Sequence, residues 1–158
     1  MSAHLTNIFK EIKMIKIFNN SIKKDNKSID LLINKALFLQ NKENFIEAKK
    51  LYKELLVFNL IDEQKALVIN NLVVVYYNLK EQERAKELFK KLISLREKLI
   101  IKDFELYALD YAFTLVMGVE WFNLPKSNLE KVATIAEDFK EIYKVDTLFL
   151  FKKIEELS

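Results

Sequence analysis

The sequence predicts an all-α protein, an array of antiparallel helix hairpins with about eight helices, and three observations predict it. The 158 residues include one Gly and one Pro, against roughly 11 and 8 at average usage. A sheet protein of this size turns sharply many times, and sharp turns draw on those two residues. Apolar side chains also recur at helical spacing, i, i+3, i+4, i+7, along nearly the whole chain. Finally, one stretch repeats itself after 37 residues. With 51% apolar and 31% charged residues the chain has enough to build a core, and intrinsic disorder is excluded as its main state.

Taken in order, Leu5, Ile8, Phe9, Ile12 and Ile15 make a first stripe, so residues 3–20 read as a basic amphipathic helix within a basic segment 3–24. Ser21–Lys27 is polar and breaks it. Ser28 can cap a second helix, with Asp30 in its first turn, running to about Gln40. Asn44 with Glu47 resembles a capping box and starts a third, to about Phe58. Asp62 starts a fourth, to about Leu79, and Glu81–Lys98 reads as a fifth. Asp103 starts a long sixth through Phe122. Asn123–Asn128 holds the one Pro and reads as a loop. Ser127 with Glu130 caps a seventh helix ending near Lys144, and Asp146 caps a short eighth over 146–157. The organisation expected is one domain over 1–158: hairpins at 28–60, 62–98 and 103–144, then a terminal helix that covers the last apolar face.

Composition also narrows function. Without Cys there is neither a disulfide frame nor a thiolate zinc site, and the one His, His4, leaves little for a metal centre or a triad. No Gly-rich loop is present to cradle a phosphate. The net charge of +3 comes from 24 Lys and 2 Arg against 23 acids. The excess is local: residues 1–27 hold six Lys, one Asp and one Glu, net +4, which leaves −1 for the rest. Few Arg and no basic stripe in the body of the chain argue against nucleic acid as partner. The longest charge-free run, Ala66–Leu79, has 14 residues, short of the roughly 18 needed to span a bilayer. No apolar leader is evident, because Lys10, Glu11, Lys13 and Lys16 interrupt the start. A non-enzymatic, cofactor-free, cytoplasmic protein is expected.

The repeat is the informative feature. Ala48, Tyr52 and Leu55 in the third predicted helix are matched by Ala85, Phe89 and Leu92 in the fifth. Twelve residues before each Ala stands Ala36 or Val73, flanked by Leu32 and Leu39 or by Ile69 and Tyr76. A small residue lets two helices approach, and the aromatic one turn later fills the gap. Ala108, Ala112 and Leu115 repeat the first-helix track a third time. This pattern over residues 28–98 resembles the tetratricopeptide repeat, whose helix pairs carry a small residue and an aromatic in the second helix. The family's Trp position is Leu32 or Ile69 here, its inter-helix Gly is Glu43 or Lys80, and its Pro after the second helix is absent.

The resemblance implies that the first helices of the pairs line a concave groove that binds extended peptides or partner helices. One residue beyond each packing position is 100° round a helix and faces that groove. This selects Ile33, Leu37, Gln40 and Asn41 in the first pair, and Leu67, Asn70, Val74, Tyr77 and Asn78 in the second. In the third it selects Leu106, Leu109, Phe113 and Val116. The track is mostly apolar, with amides able to donate and accept toward a peptide backbone. Lys and Arg are absent from it, so the carboxylate clamp of chaperone-docking relatives is not matched. The same residues also fit helices buried all round, with the groove filled by the chain's own ends.

Other candidates carry less. Asp110 and Glu120 in the apolar sixth helix could do acid–base work, but ten residues put them on different faces, and each is expected on a polar edge. Trp121 with Phe122 fits core packing or an interface anchor. The N-terminal lysines fit a solvated face more simply than a membrane or nucleic-acid surface. The expectation is a protein- or peptide-binding adaptor, chaperone or regulator, with homo-oligomers left open. The alternative is a structural subunit or immunity-type inhibitor that blocks a partner through its convex face or the Trp121 region.

Overall fold

The computed structural model describes residues 27–143 and 147–158. Seven α-helices and no strand occur among the described residues: α1 Lys27–Asn41, α2 Phe45–Leu55, α3 Asp62–Asn78, α4 Gln82–Lys102, α5 Phe104–Phe122, α6 Asn128–Tyr143 and α7 Leu148–Leu157. The predicted helix at 3–20, His4 and the cap Asp146 lie outside them. The chain divides into two compact units, residues 1–85 and 86–158.

In the N-terminal unit α1 and α2 form a hairpin and α3 packs on both. The repeat residues make its core: Ala36, Ala48, Tyr52, Leu55, Ile69, Val73 and Tyr76 are all buried. The Asn44 side chain caps α2, accepting from the Glu47 N–H at 3.5 Å, as the spacing predicted. Asp62 opens α3, but the capping amide is Gln64, whose Oε1 accepts from the Ile61 N–H at 3.4 Å.

The two hairpin turns are copies. Helix α1 ends with Glu43 at φ 60° and α3 with Lys80 at φ 63°. Glu43 N–H donates to Gln40 O and Asn44 N–H to Leu39 O. Thirty-seven residues on, Lys80 N–H donates to Tyr77 O and Glu81 N–H to Tyr76 O. Both sets are Schellman closures around a left-handed residue, a position that glycine usually fills. The two positions are those aligned above with the family's inter-helix Gly. Glu81 also accepts from Lys49 Nζ at 2.7 Å and from Arg84 at 2.6 Å, tying α2 to the start of α4.

In the C-terminal unit α5 packs on α6, and α7 packs on both. Asp103 caps α5 by accepting from Leu106 N–H at 3.1 Å. Phe89 of α4 stacks on Phe122 of α5 with centroids 4.7 Å apart. The one glycine, Gly118, allows that approach: a Cβ there would collide with Leu124 and lie 2.7 Å from Phe89 Cζ. Thr147, fully buried, donates from Oγ1 to Ala136 O at 3.1 Å and fixes the start of α7 against α6.

Asp110 departs from expectation. It does not sit on a polar edge but is 7% exposed, and its Oδ2 accepts from Arg96 Nη1 on α4 at 3.0 Å. Burial pushes its carboxyl above the usual aspartate range, with the Arg96 guanidinium pulling the other way. Arg96 is itself 2% exposed, so the two charges share one buried site. Next to them Tyr111 OH donates to Glu97 Oε1 at 3.2 Å, and burial together with that carboxylate raises the phenol's pKa.

Candidate functional site

The predicted track divides by accessibility. Ile33, Leu67, Asn70, Val74, Phe113 and Val116 are buried, whereas Leu37, Gln40, Tyr77, Asn78, Leu106 and Leu109 are half-buried and Asn41 is exposed. Phe113 stacks on Phe149 of α7, centroids 5.1 Å apart and rings nearly parallel. Helix α3 is buried from Ala66 to Tyr76 without a break, the pattern of a helix surrounded on all sides.

Within the N-terminal unit the accessible members gather at one end. Gln64 near the start of α3 donates to Asp30 near the start of α1 at 3.3 Å. The starts of the two helices therefore touch, and their C-terminal ends each meet α2, through Gln40–Tyr52 and Glu81–Lys49. There stand Leu37, Gln40 and Asn41 of α1 with Tyr77 and Asn78 of α3. The repeat makes Gln40 and Tyr77, and Asn41 and Asn78, equivalent positions.

The amides on this edge are each half used. Gln40 Oε1 accepts from the Tyr52 hydroxyl at 2.8 Å; burial raises the pKa of that phenol, which stays a proton donor. The bond fixes which end of the Gln40 amide is the oxygen and leaves its N–H2 donors outside the pair. Asn78 is the converse: its Nδ2 donates back to Val74 O at 2.8 Å, which leaves Oδ1 as acceptor. Asn71, one turn earlier, makes the same back-bond to Leu67 O at 2.9 Å but is buried. Which of the amide atoms are already bound is not written in the sequence.

Two further candidates lie in the last turn of α5. Trp121 is half-buried and meets Phe122 edge-on at 6.4 Å. Glu120 is half-buried on the same turn. A shallow cleft along α2 between Ile46, Lys50, Lys53 and Val57 presents lysine heads around apolar stems. No cluster of three or more metal-ligating side chains occurs among the described residues. None of the described helices is long and apolar enough to cross a membrane.

Repeated small-to-aromatic packing and duplicated Schellman turns define a helical-hairpin repeat protein. A tetratricopeptide repeat family model matches residues 66–100, covering most of α3 and α4. Together with the all-helical described residues, the match supports a tetratricopeptide-like helical-repeat fold. No curated protein and no solved structure matches it.

Proposed function

We propose that this protein is a non-enzymatic adaptor that binds an extended peptide segment of a partner protein across the C-terminal ends of α1 and α3. One observation carries the reading: in the last turns of the two inner helices Gln40 keeps N–H donors and Asn78 a carbonyl acceptor outside their own hydrogen bonds. An extended backbone alternates C=O and N–H and is complementary to that pair. Leu37 and the ring of Tyr77 supply apolar contact beside the amides. Cytoplasmic residence fits the cysteine-free sequence.

The test is a peptide library selected on the whole chain, with the recovered peptides measured again by calorimetry on variants. Gln40→Glu keeps an acceptor for Tyr52 but removes both N–H donors. It should weaken binding by about 2- to 10-fold, the equivalent of one net hydrogen bond. Tyr77→Ala should weaken it at least as much, and Lys53→Ala on the outer face should leave it unchanged. Peptides that bind all three variants as well as the parent would show that the site lies elsewhere.

A further inference from the structure

One row of side chains on α1 differs in kind from its counterparts on the other inner helices. Leu31, Lys35, Phe38 and Lys42 fall at i, i+4, i+7 and i+11. They lie within about 60° of arc and about 16 Å of length, on the side of α1 opposite Ile33 and Ala36. Lys42, one residue past α1, keeps the helical bond to Phe38 O at 3.0 Å and sets its Nζ 5.8 Å from the centroid of the Phe38 ring. The repeat puts Val68, Leu72, Val75 and Leu79 in the same row on α3, and Tyr107, Tyr111, Thr114 and Gly118 in that of α5. Those two rows hold no charge, and every member is buried except Leu79, which is half-buried. On α1, by contrast, Leu31 and Phe38 are 67% and 61% exposed. Lys35 and Lys42 are exposed too, and neither makes an ion pair among the described residues.

The lysines say what can cover this row. An uncharged helix laid on it, as on the rows of α3 and α5, would take two ammonium groups from water and give nothing back. An occupant has to bring carboxylates. The segment ahead of α1 is a poor source, with five Lys against one Glu and one Asp in residues 1–26. A second copy meeting α1 against α1 would gather four lysines with no carboxylate among them. Asp30, the one acid of α1, lies off the row and accepts from Gln64 Nε2 at 3.3 Å. Like charges so placed oppose association. Two exposed apolar side chains seven residues apart also have the spacing of a helix–helix seam.

We propose that the row Leu31, Lys35, Phe38 and Lys42 docks an acidic amphipathic helix of another protein. Apolar side chains of that helix cover Leu31 and Phe38, and its carboxylates pair with Lys35 and Lys42. Gln40 lies on the opposite side of α1, so this face is separate from the peptide-binding site and the inference does not depend on that reading.

The probe is a display library of alanine-based helical peptides, randomised along one face and selected on the full chain. Recovered peptides should carry apolar residues seven apart with Asp or Glu between them. Phe38→Asp, with helix content checked by circular dichroism, should weaken them by at least about ten-fold. Lys35→Glu with Lys42→Glu should do the same, and exchanging the peptide's acids for Lys should restore binding to that variant. Lys53→Ala, a lysine on α2, should change nothing. Peptides without an excess of acids, or indifferent to Phe38→Asp and to the charge reversal, would overturn the proposal. Three further measurements address the other occupants. The full chain should sediment as a monomer; a dimer lost in Phe38→Asp would assign the row to a second copy. Phosphatidylcholine vesicles with about one third phosphatidylserine should not bind in a Phe38-dependent way; if they do, the row belongs to a lipid surface. Because the chain has no cysteine, the thiol of Phe38→Cys can be labelled alone. Its reaction with a maleimide should run within several-fold of a free thiol, and protection of about ten-fold or more would show that the chain covers the row itself. Each of these contrary results overturns docking of an acidic partner helix.

Discussion

Glycine placed at the two copied turns should stabilise the protein. Glu43 and Lys80 hold φ at 60° and 63°, where a side chain crowds the following carbonyl at a cost of about 1–2 kcal/mol per residue. Glycine removes that cost but makes the unfolded chain more flexible, which costs about 0.4–1 kcal/mol. The difference is a net gain of about 0.5–1 kcal/mol at each turn. Both side chains are exposed, and neither makes an ion pair or hydrogen bond among the described residues, so little else is lost. The double variant Glu43→Gly with Lys80→Gly should gain about 1–2 kcal/mol, or about 2–8 °C in Tm for a chain of this size. Urea titration with unchanged m-value measures it. Two controls sharpen the reasoning. Glu43→Ala should be nearly neutral, because alanine bears the same left-handed cost. Asn123, at φ 55°, is already a residue that tolerates this conformation, so Asn123→Gly should gain less. Loss of about 2 kcal/mol in the double variant, about 1 kcal/mol for each glycine inside a helix, would refute the turn geometry.

Gly118→Ala should be destabilising despite alanine's better helix propensity, because a gain of about 1 kcal/mol meets about 1–3 kcal/mol of overpacking against Leu124 and Phe89; thermal melts measure the balance. Arg96→Met should cost about 3–5 kcal/mol by leaving the Asp110 charge buried alone, whereas Arg96→Met with Asp110→Leu should recover most of that. In the single variant Asp110 binds its proton more readily folded than unfolded, so its deficit should grow as pH rises from 4 to 7, read by denaturation at each pH. For Glu81 the sign is opposite. Its hydrogen bond from Lys49 holds the carboxyl below its ordinary value of 4.5, so the contribution is present above that pH and lost as pH falls through the folded value. The Tm difference between the parent and Lys49→Gln should therefore be visible at pH 7 and shrink as pH falls below 4.5.

What the sequence revealed followed from periodicity. Ala36, Ala48, Tyr52, Val73, Ala85 and Phe89 were legible as packing positions because small and aromatic residues recur at one spacing, and all are buried. Asn44, Asp62 and Asp103 marked helix starts because a short polar side chain ahead of an apolar run has few other uses. Asp110 was misplaced because its partner lies 14 residues back on another helix, and no local rule reaches that far. The signal was present all the same: Arg96 is one of two arginines in a chain of 24 lysines, and guanidinium suits a buried pair better than ammonium. The split of the groove track into buried and accessible halves was not legible, since a 100° offset gives direction round one helix and not what covers it.

That split bears on where affinity can come from. Apolar area stabilises a complex only if binding removes it from water. Ile33, Leu67, Val74, Phe113 and Val116 are already buried, so they shape the wall without contributing contact area. On the proposed reading a partner therefore gains from Leu37, Tyr77 and the amides around them. A small apolar contact framed by oriented amides gives modest affinity per side chain but discriminates strongly by geometry, because a peptide whose carbonyl and N–H are out of step leaves both Gln40 and Asn78 facing a group they cannot pair with. Recognition at such an edge reads backbone register first and side-chain identity second. The side-chain preference it does have should fall on the residue nearest Leu37 and Tyr77, where burial is still to be gained.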